Sequence, residues 1–414
     1  MAHDLFTAGQ AALRDAHGLI LLGSLLGLSS ILAGLVSRRV GAPTLLVFLI
    51  LGMLAGEDGP LHIPFDDFRT AYLIGSVALA VILFEGGLTM PLHHLRMVFW
   101  PAILLATVGV AVTAGILGVF VTLMAGTKLT AGLLVGAASA PTDAAAVNSM
   151  LRHSGATLPE RVPAVLEAES GFNDPMSIFL TVLLLHIIAD PHGITVTGAI
   201  LLFLREMAGG AALGLAGGLA TSFALRTLNL DAAGAGVFAL TTALSIFGLS
   251  QLAGASGFLA VYLAGLVIGQ AKFRTAPDVE RFTNPLCWLS QIVLFLMLGL
   301  LVTPHDLLPF IAPAVTAAIV LIFIARPAIV FPCLLPFGFS LRETAFASWV
   351  GLRGAVPIYI SFLPALVDPS RDLPLFAGVF VLVIASLIIQ GWTISASARL
   401  LGFGNQQPRV PVQA

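Results

Sequence analysis

The chain has 414 residues, of which 58% are hydrophobic and 10% charged, with a net charge of −2. Soluble domains carry about 25% charged residues, so 19 basic and 21 acidic side chains cannot coat a water-soluble chain of this length; a mean hydropathy of +1.02 excludes disorder for the same reason. There is no basic face for nucleic acid, and Cys287 and Cys333 are too few for a disulfide framework or a structural zinc site.

The composition is that of an all-α polytopic membrane protein. A spanning helix needs roughly 17–25 mostly apolar residues. Such stretches fall at about 17–37, 42–56, 70–90, 98–124, 128–151, 162–188, 197–226, 231–249, 252–271, 284–302, 307–335, 342–366 and 374–402, about thirteen in all. The first is not a signal peptide, because His3 and Asp4 precede it in place of a basic region. The second is short and the seventh and eleventh are long, so tilts or breaks are expected there. Gly210, Gly214 and Gly218 on the seventh form a GxxxGxxxG face, which predicts close helix packing. Residues 403–414 read as a short frayed cytoplasmic tail.

Two spans are interrupted in mid-membrane. The fifth contains Ser139-Ala140-Pro141-Thr142-Asp143, and the twelfth contains Gly351-Leu352-Arg353-Gly354-Ala355-Val356-Pro357. With spans 1–6 (about 17–190) and 8–13 (about 231–402) taken as two six-helix units and the helix at about 197–226 as linker, each break lies on the fifth helix of its unit. The units then start on opposite sides of the membrane, as inverted repeats within a single transmembrane unit over 1–414. Paired interrupted helices point to the binding site of a secondary transporter. An N-terminus outside puts 12 Lys/Arg in the cytoplasm and 5 outside, with Arg326 and Arg353 within spans. The positive-inside rule therefore predicts N-out, C-in across the inner membrane.

Charges at mid-membrane cost roughly 2.5–3.5 kcal/mol each on insertion scales, so they need a partner or a cavity. The sixth span carries Glu167-Ala168-Glu169-Ser170-Gly171-Phe172-Asn173-Asp174-Pro175. At 100° per residue Glu167, Ser170 and Asp174 share one stripe, with Glu169 and Asn173 on the next. Oxygen groups on adjoining stripes suit a hard cation such as Na⁺ or K⁺. Asp174, followed by a proline that denies an amide to the preceding turn, is the candidate for holding either a proton or a cation. Thr142 can add its hydroxyl or carbonyl. Asp143 reads either as a helix N-cap or as part of the site. Arg353 is expected to pair with Glu169 or Glu167 as an electrostatic support, whereas Arg326 is read as supporting a bend before Pro327. Glu85, near the end of the third span, reads as reaching the interface.

Together these residues resemble the monovalent cation:proton antiporter-1 family, and most closely its bacterial NhaP-type branch of potassium/proton or sodium/proton antiporters. Glu167-Ala168-Glu169-Ser170 running into Asn173-Asp174, Thr142-Asp143, and Gly351-Leu352-Arg353-Gly354-Ala355-Val356 carry the likeness, with a softer match at Phe84-Glu85-Gly86-Gly87-Leu88. The resemblance implies that Asp174 is the shared proton and cation carrier, and that Glu169, Ser170 and Thr142 complete a site for Na⁺ or K⁺. It further implies that Asn173 is a neutral partner in an electroneutral exchange. A six-helix core moving against a dimerisation domain, a homodimer, and no cofactor beyond the transported ions are implied too. The run Asp143-Ala144-Ala145-Ala146 departs from the Asp-Pro of many members and is similar to the potassium/proton branch. Branch members often carry a cytosolic regulatory domain after the last helix, where this chain stops at Ala414.

Two other readings compete. A cation channel would need a continuous pore and no titrating acid. An intramembrane aspartyl protease would use Asp143 and Asp174 as two carboxyls sharing a proton. Its Gly-x-Gly-Asp signature is missing: Ala140-Pro141-Thr142 precede Asp143 and Gly171-Phe172-Asn173 precede Asp174. No phosphate-binding Gly-Lys-Ser/Thr motif suggests ATP as energy source.

Overall fold

The computed structural model describes residues 2–40, 42–154, 157–190, 193, 195–366 and 373–404, and among them there are helices and turns but no strand. The chain runs through α1 (Ala2–Val40), α2 (Thr44–Ala55), α3 (Phe68–Thr89), α4 (Leu92–Leu104), a π-helical turn at Leu105–Gly109, and α5 (Val110–Ala125). Next come α6 (Leu129–Ala138), α7 (Ala144–Ser154), α8 (Arg161–Ala189), α9 (Val196–Thr227), α10 (Ala232–Leu252), α11 (Gly257–Gln270) and α12 (Ala276–Leu300). The last part holds α13 (Pro304–Leu307), α14 (Ile311–Val320), a second π-helical turn at Leu321–Ala325, α15 (Arg326–Leu334), α16 (Leu341–Trp349), α17 (Ala355–Ser361), α18 (Leu373–Gly391) and α19 (Ile394–Leu400). Nine helical segments among the described residues are long and apolar enough to cross a bilayer. Shorter apolar helices lie at Thr44–Ala55, Leu129–Ala138, Gly257–Gln270 and Ala355–Leu366.

Helix occupies every range expected from hydropathy, with informative differences at the ends. The first helix extends back to Ala2, through a stretch whose His3, Asp4, Gln10, Arg14 and Asp15 keep it out of an apolar window while its alanines favour helix. α11 is shorter than its range. Gly254 adopts a left-handed conformation (φ 70°) that ends the preceding turn, and Ser256 Oγ caps the new helix by accepting from Leu259 N at 3.3 Å. The expected tail beyond Gly404, with Arg409, and the outer-side Arg371 lie outside the described residues.

The helices pack as two groups. α1–α3 pack with α9–α12, and α4–α8 pack with α14–α19; the groups meet along α3, α8, α11, α12 and α17. Small residues let the first group close tightly. A Cβ on Gly210 or Gly214 of α9 would stand 2.6 Å from Ser256 O or 2.4 Å from Ala260 O, so the glycine face read from the sequence is a seam against α11. In the second group both expected breaks are present: α6 and α7 are parted at 139–143, and α16 and α17 at 350–354. The two breaks touch, and Asp143 N donates to Leu352 O at 2.8 Å across them.

Candidate functional site

Helix ends in hydrocarbon must have their polar groups satisfied internally, and the crossed breaks do this with side chains. Asp143 caps α7, its Oδ1 accepting from Ala146 N at 2.9 Å. The N-cap reading of Asp143 therefore holds, and the same residue lines the cavity described below. Gly354 leaves it room, for a Cβ there would lie 2.3 Å from Asp143 Oδ2. Arg353, 2% exposed, turns its guanidinium to the backbone carbonyls of the break after α6, with Nη1 donating to Ala140 O and, at 2.8 Å, to Pro141 O. Its own backbone N–H donates to Ser386 Oγ at 3.2 Å, which ties the second break to α18.

The expected pairing of Arg353 with Glu169 or Glu167 is thereby corrected. Glu169 is held by Arg326, whose Nη1 bonds Oε1 and whose Nη2 donates to Oε2 at 2.8 Å; both side chains are buried. Such a two-pronged pair satisfies the carboxylate. Arg326 opens α15 directly after the π-helical turn at Leu321–Ala325, with Pro327 next to it. Gly351 closes over Arg326, since a Cβ there would stand 2.7 Å from Nε. With both oxygens on Arg326 and no place in the cavity lining, Glu169 stands apart from the cation ligands it was expected to join.

The other expected residues come together. On α8, Ser170 Oγ donates to Thr142 O at 2.8 Å, and Asn173 Nδ2 donates to Thr142 Oγ1 at 2.8 Å. These bonds fasten the long helix to the break between α6 and α7. Pro175 has no N–H to offer the Gly171 carbonyl, which frees an oxygen one turn from Asp174. Asp174 is buried, and its Oδ1 has no hydrogen-bond partner among the described residues. In an apolar interior that is an expensive omission unless the group is there to bind something.

A cavity of about 460 Å³ receives it. Thr142, Asp143, Ser170, Asp174 and Glu167 line it from the second helix group, and Glu85, Tyr262, Asn284 and Gln291 from the first. Asn173, Glu169 and Arg353 support this wall without lining it. Glu85 is therefore part of the cavity wall, not an interfacial anchor; the sequence signal was an acid beside Gly86-Gly87 on an otherwise apolar helix. Tyr262 was not singled out at all. From Thr89, Ser149 and Asn284 the cavity runs inward to Leu79, Phe295 and Pro357. Beyond that end Tyr359 closes the way: its hydroxyl bonds Ser76 Oγ at 2.7 Å, Tyr72 stacks on it at 5.8 Å, and Phe362 meets it edge-on at 5.3 Å. Past this aromatic layer lies an apolar cavity of about 880 Å³ lined by Tyr72, Thr127, His186 and Leu363.

A buried carboxylate with an unpartnered oxygen thus stands on the wall of a cavity at two crossed broken helices, chemistry suited to a small cation. Comparison with known proteins agrees: residues 27–399 match the family described as the transmembrane part of sodium/hydrogen exchangers. The chain belongs to the sodium/hydrogen exchanger family. Among its relatives, the K(+)/H(+) antiporter NhaP of Alkalimonas amylolytica is 44% identical over 382 residues, covering 92% of this chain and 66% of that protein. The K(+)/H(+) antiporter NhaP2 of Shewanella sp. (strain ANA-3) is 42% identical over 389 residues, covering 93% and 67%. The chain thus spans about two thirds of the length of these curated relatives. The fold matches the solved structure of the sodium proton antiporter MjNhaP1 from Methanocaldococcus jannaschii with a TM-score of 0.79 at 24% identity, over 93% of this chain and 99% of that one. This exchanger family is one of transporters, not enzymes, and the relatives are antiporters, not channels or proteases.

Proposed function

We propose that this chain exchanges a monovalent cation, Na⁺ or K⁺, for a proton, with the two competing for Asp174 in an alternating-access cycle. One observation carries the reading: Asp174 lines the cavity between the crossed breaks and is buried there with a carboxyl oxygen that has no partner among the described residues. Thr142 and Ser170 are the neighbouring oxygen ligands, with the freed Gly171 carbonyl available beside them. Asn173, bonded to Thr142, keeps the wall in register and brings no charge of its own beside Asp174, and an electroneutral exchange is proposed on the resemblance described above. Protonation or cation binding neutralises Asp174 on each leg, which removes much of the cost of carrying a bare charge through a low-dielectric interior.

The two halves are proposed to be inverted repeats about a linker helix, since each contributes one broken helix and helices to both packing groups. An inner-membrane chain with its N-terminus outside and C-terminus in the cytoplasm is supported by the distribution of Lys and Arg. In that orientation the cavity mouth at Thr89, Ser149 and Asn284 is cytoplasmic. A homodimer is proposed on the resemblance described above. The ion is a choice between the K⁺ and the Na⁺ of the relatives' names. The test is cation-driven proton movement in proteoliposomes containing a pH dye, with Na⁺, K⁺ and Li⁺ added in turn and the membrane potential clamped or free. Exchange indifferent to the clamp is expected; flux without coupled proton movement would favour a channel.

A further inference from the structure

Tyr262 is a polar residue of the cavity to which the exchange reading gives no role. It projects from α11, in the helix group that does not carry Asp174. The residue is 1% exposed and lines the cavity, and its buried hydroxyl has no hydrogen-bond partner among the described residues. The ring lies against α8 at Gly171, where a Cβ would stand 2.4 Å from Cζ, and Phe172 meets it edge-on at 5.3 Å. Glu167, Gly171 and Asp174 follow one another at four and three residues and share one side of α8. The hydroxyl end of Tyr262 is therefore seated at Gly171, on the side of α8 that also carries Glu167 and Asp174. Behind the ring, α11 is fixed to its own group: a Cβ on Gly87 of α3 would lie 2.1 Å from Tyr262 O. If the group bearing Asp174 shifts to turn the site to the other face, α11 stays with α3 and α9.

We propose that Tyr262 is a further cation ligand, lending its hydroxyl oxygen to the cation at Asp174 only while the cavity opens at Thr89, Ser149 and Asn284. A neutral hydroxyl is a hard oxygen ligand suited to Na⁺ or K⁺, and Gly171 is the gap through which the ring reaches it. The consequence is asymmetric affinity: the same site binds its cation more tightly from one face of the membrane than from the other. The inference rests on Asp174 being the cation site.

The test uses inside-out and right-side-out vesicles from cells lacking their own antiporters, with Na⁺ or K⁺ added to either face. Tyr262→Phe keeps the ring against Gly171 and removes only the oxygen. Loss of one such contact is expected to raise KM about three- to tenfold from one face, with KM unchanged from the other and kcat within about twofold. A KM unaltered from both faces, or raised equally from both, would overturn the proposal. Cation-induced rise in Tm of the purified protein gives a second reading independent of transport. A smaller rise in Tyr262→Phe than in the unmodified protein is expected, and an equal one contradicts the assignment. Unmodified vesicles that exchange no cation would overturn the proposed function first, and this inference with it.

Discussion

Asn173 Nδ2 donates to Thr142 Oγ1 across 2.8 Å, joining the residue beside Asp174 on α8 to the residue beside Asp143 at the break. The bond makes the position of Asp174 depend on a connector that has no helical hydrogen bonds of its own to hold it. Ser170 repeats the tie one turn earlier, through the Thr142 carbonyl. Two neighbouring acids, one capping α7 and one facing the cavity, are thus set by the same threonine.

Asn173→Ala removes one of those ties and leaves a buried hydroxyl unpaired, at a cost of about 1–3 kcal/mol. The expected outcome is a lower Tm in detergent together with a raised cation KM. Unchanged KM with lowered Tm would show that the tie serves stability alone.

The pair of Glu169 and Arg326 is a separate matter, because both side chains are buried and neither lines the cavity. Replacing either alone by Met strands the other charge, which should destabilise by about 3–5 kcal/mol. Replacing both removes the stranded charge, so the double variant should be more stable than either single one. Thermal unfolding of the four proteins checks it, and equal losses in the single and double variants would contradict a paired role.

Much of this site was legible because polar residues inside apolar stretches are conspicuous. Thr142-Asp143 and Arg353-Gly354 mark the two breaks by themselves, and helical spacing puts Ser170 and Asp174 on one face of α8. Partnership was not legible. Arg326 and Arg353 lie in different spans with several acids to choose from, and only the crossing of the breaks shows that Arg353 is consumed by the carbonyls of Ala140 and Pro141. Tyr262 could not be picked out, since an aromatic residue in an apolar run reads as core until the helix opposite it is known to carry Gly171.

Gly354 supplies a test of the crossing itself. A methyl group there would have to displace Asp143 Oδ2, 2.3 Å from where it would stand. Gly354→Ala is expected to weaken the cap on α7 and abolish most exchange, whereas Gly378→Ala, with open space around it, should leave transport near normal. Equal activity in the two variants would show that the contact is dispensable.

Outside the membrane, the loop after α2 is fastened to α13: His305 N donates to Asp58 Oδ2 at 2.8 Å, and the ring Nδ1 lies 2.8 Å from the same oxygen. The backbone amide first, then the ring, hold the Asp58 carboxyl below the usual carboxylate range. A lowered folded-state pKa means stability that is fully present above the ordinary carboxylate pKa and is lost as pH falls through the lowered value. Asp58→Asn should therefore melt below the unmodified protein at neutral pH, with the difference closing in acid. A difference that does not vary with pH would contradict the tie.

The most direct test of competition at one carboxylate is cation-driven proton flux in proteoliposomes with Asp174→Asn beside the unmodified protein, after both are shown to be folded by their melting curves. The account predicts coupled flux in the unmodified protein, with a cation KM that rises as pH falls, and none in the variant. Coupled exchange that persists in Asp174→Asn would mean that proton and cation meet at another group, and that Asp174 only shapes the cavity.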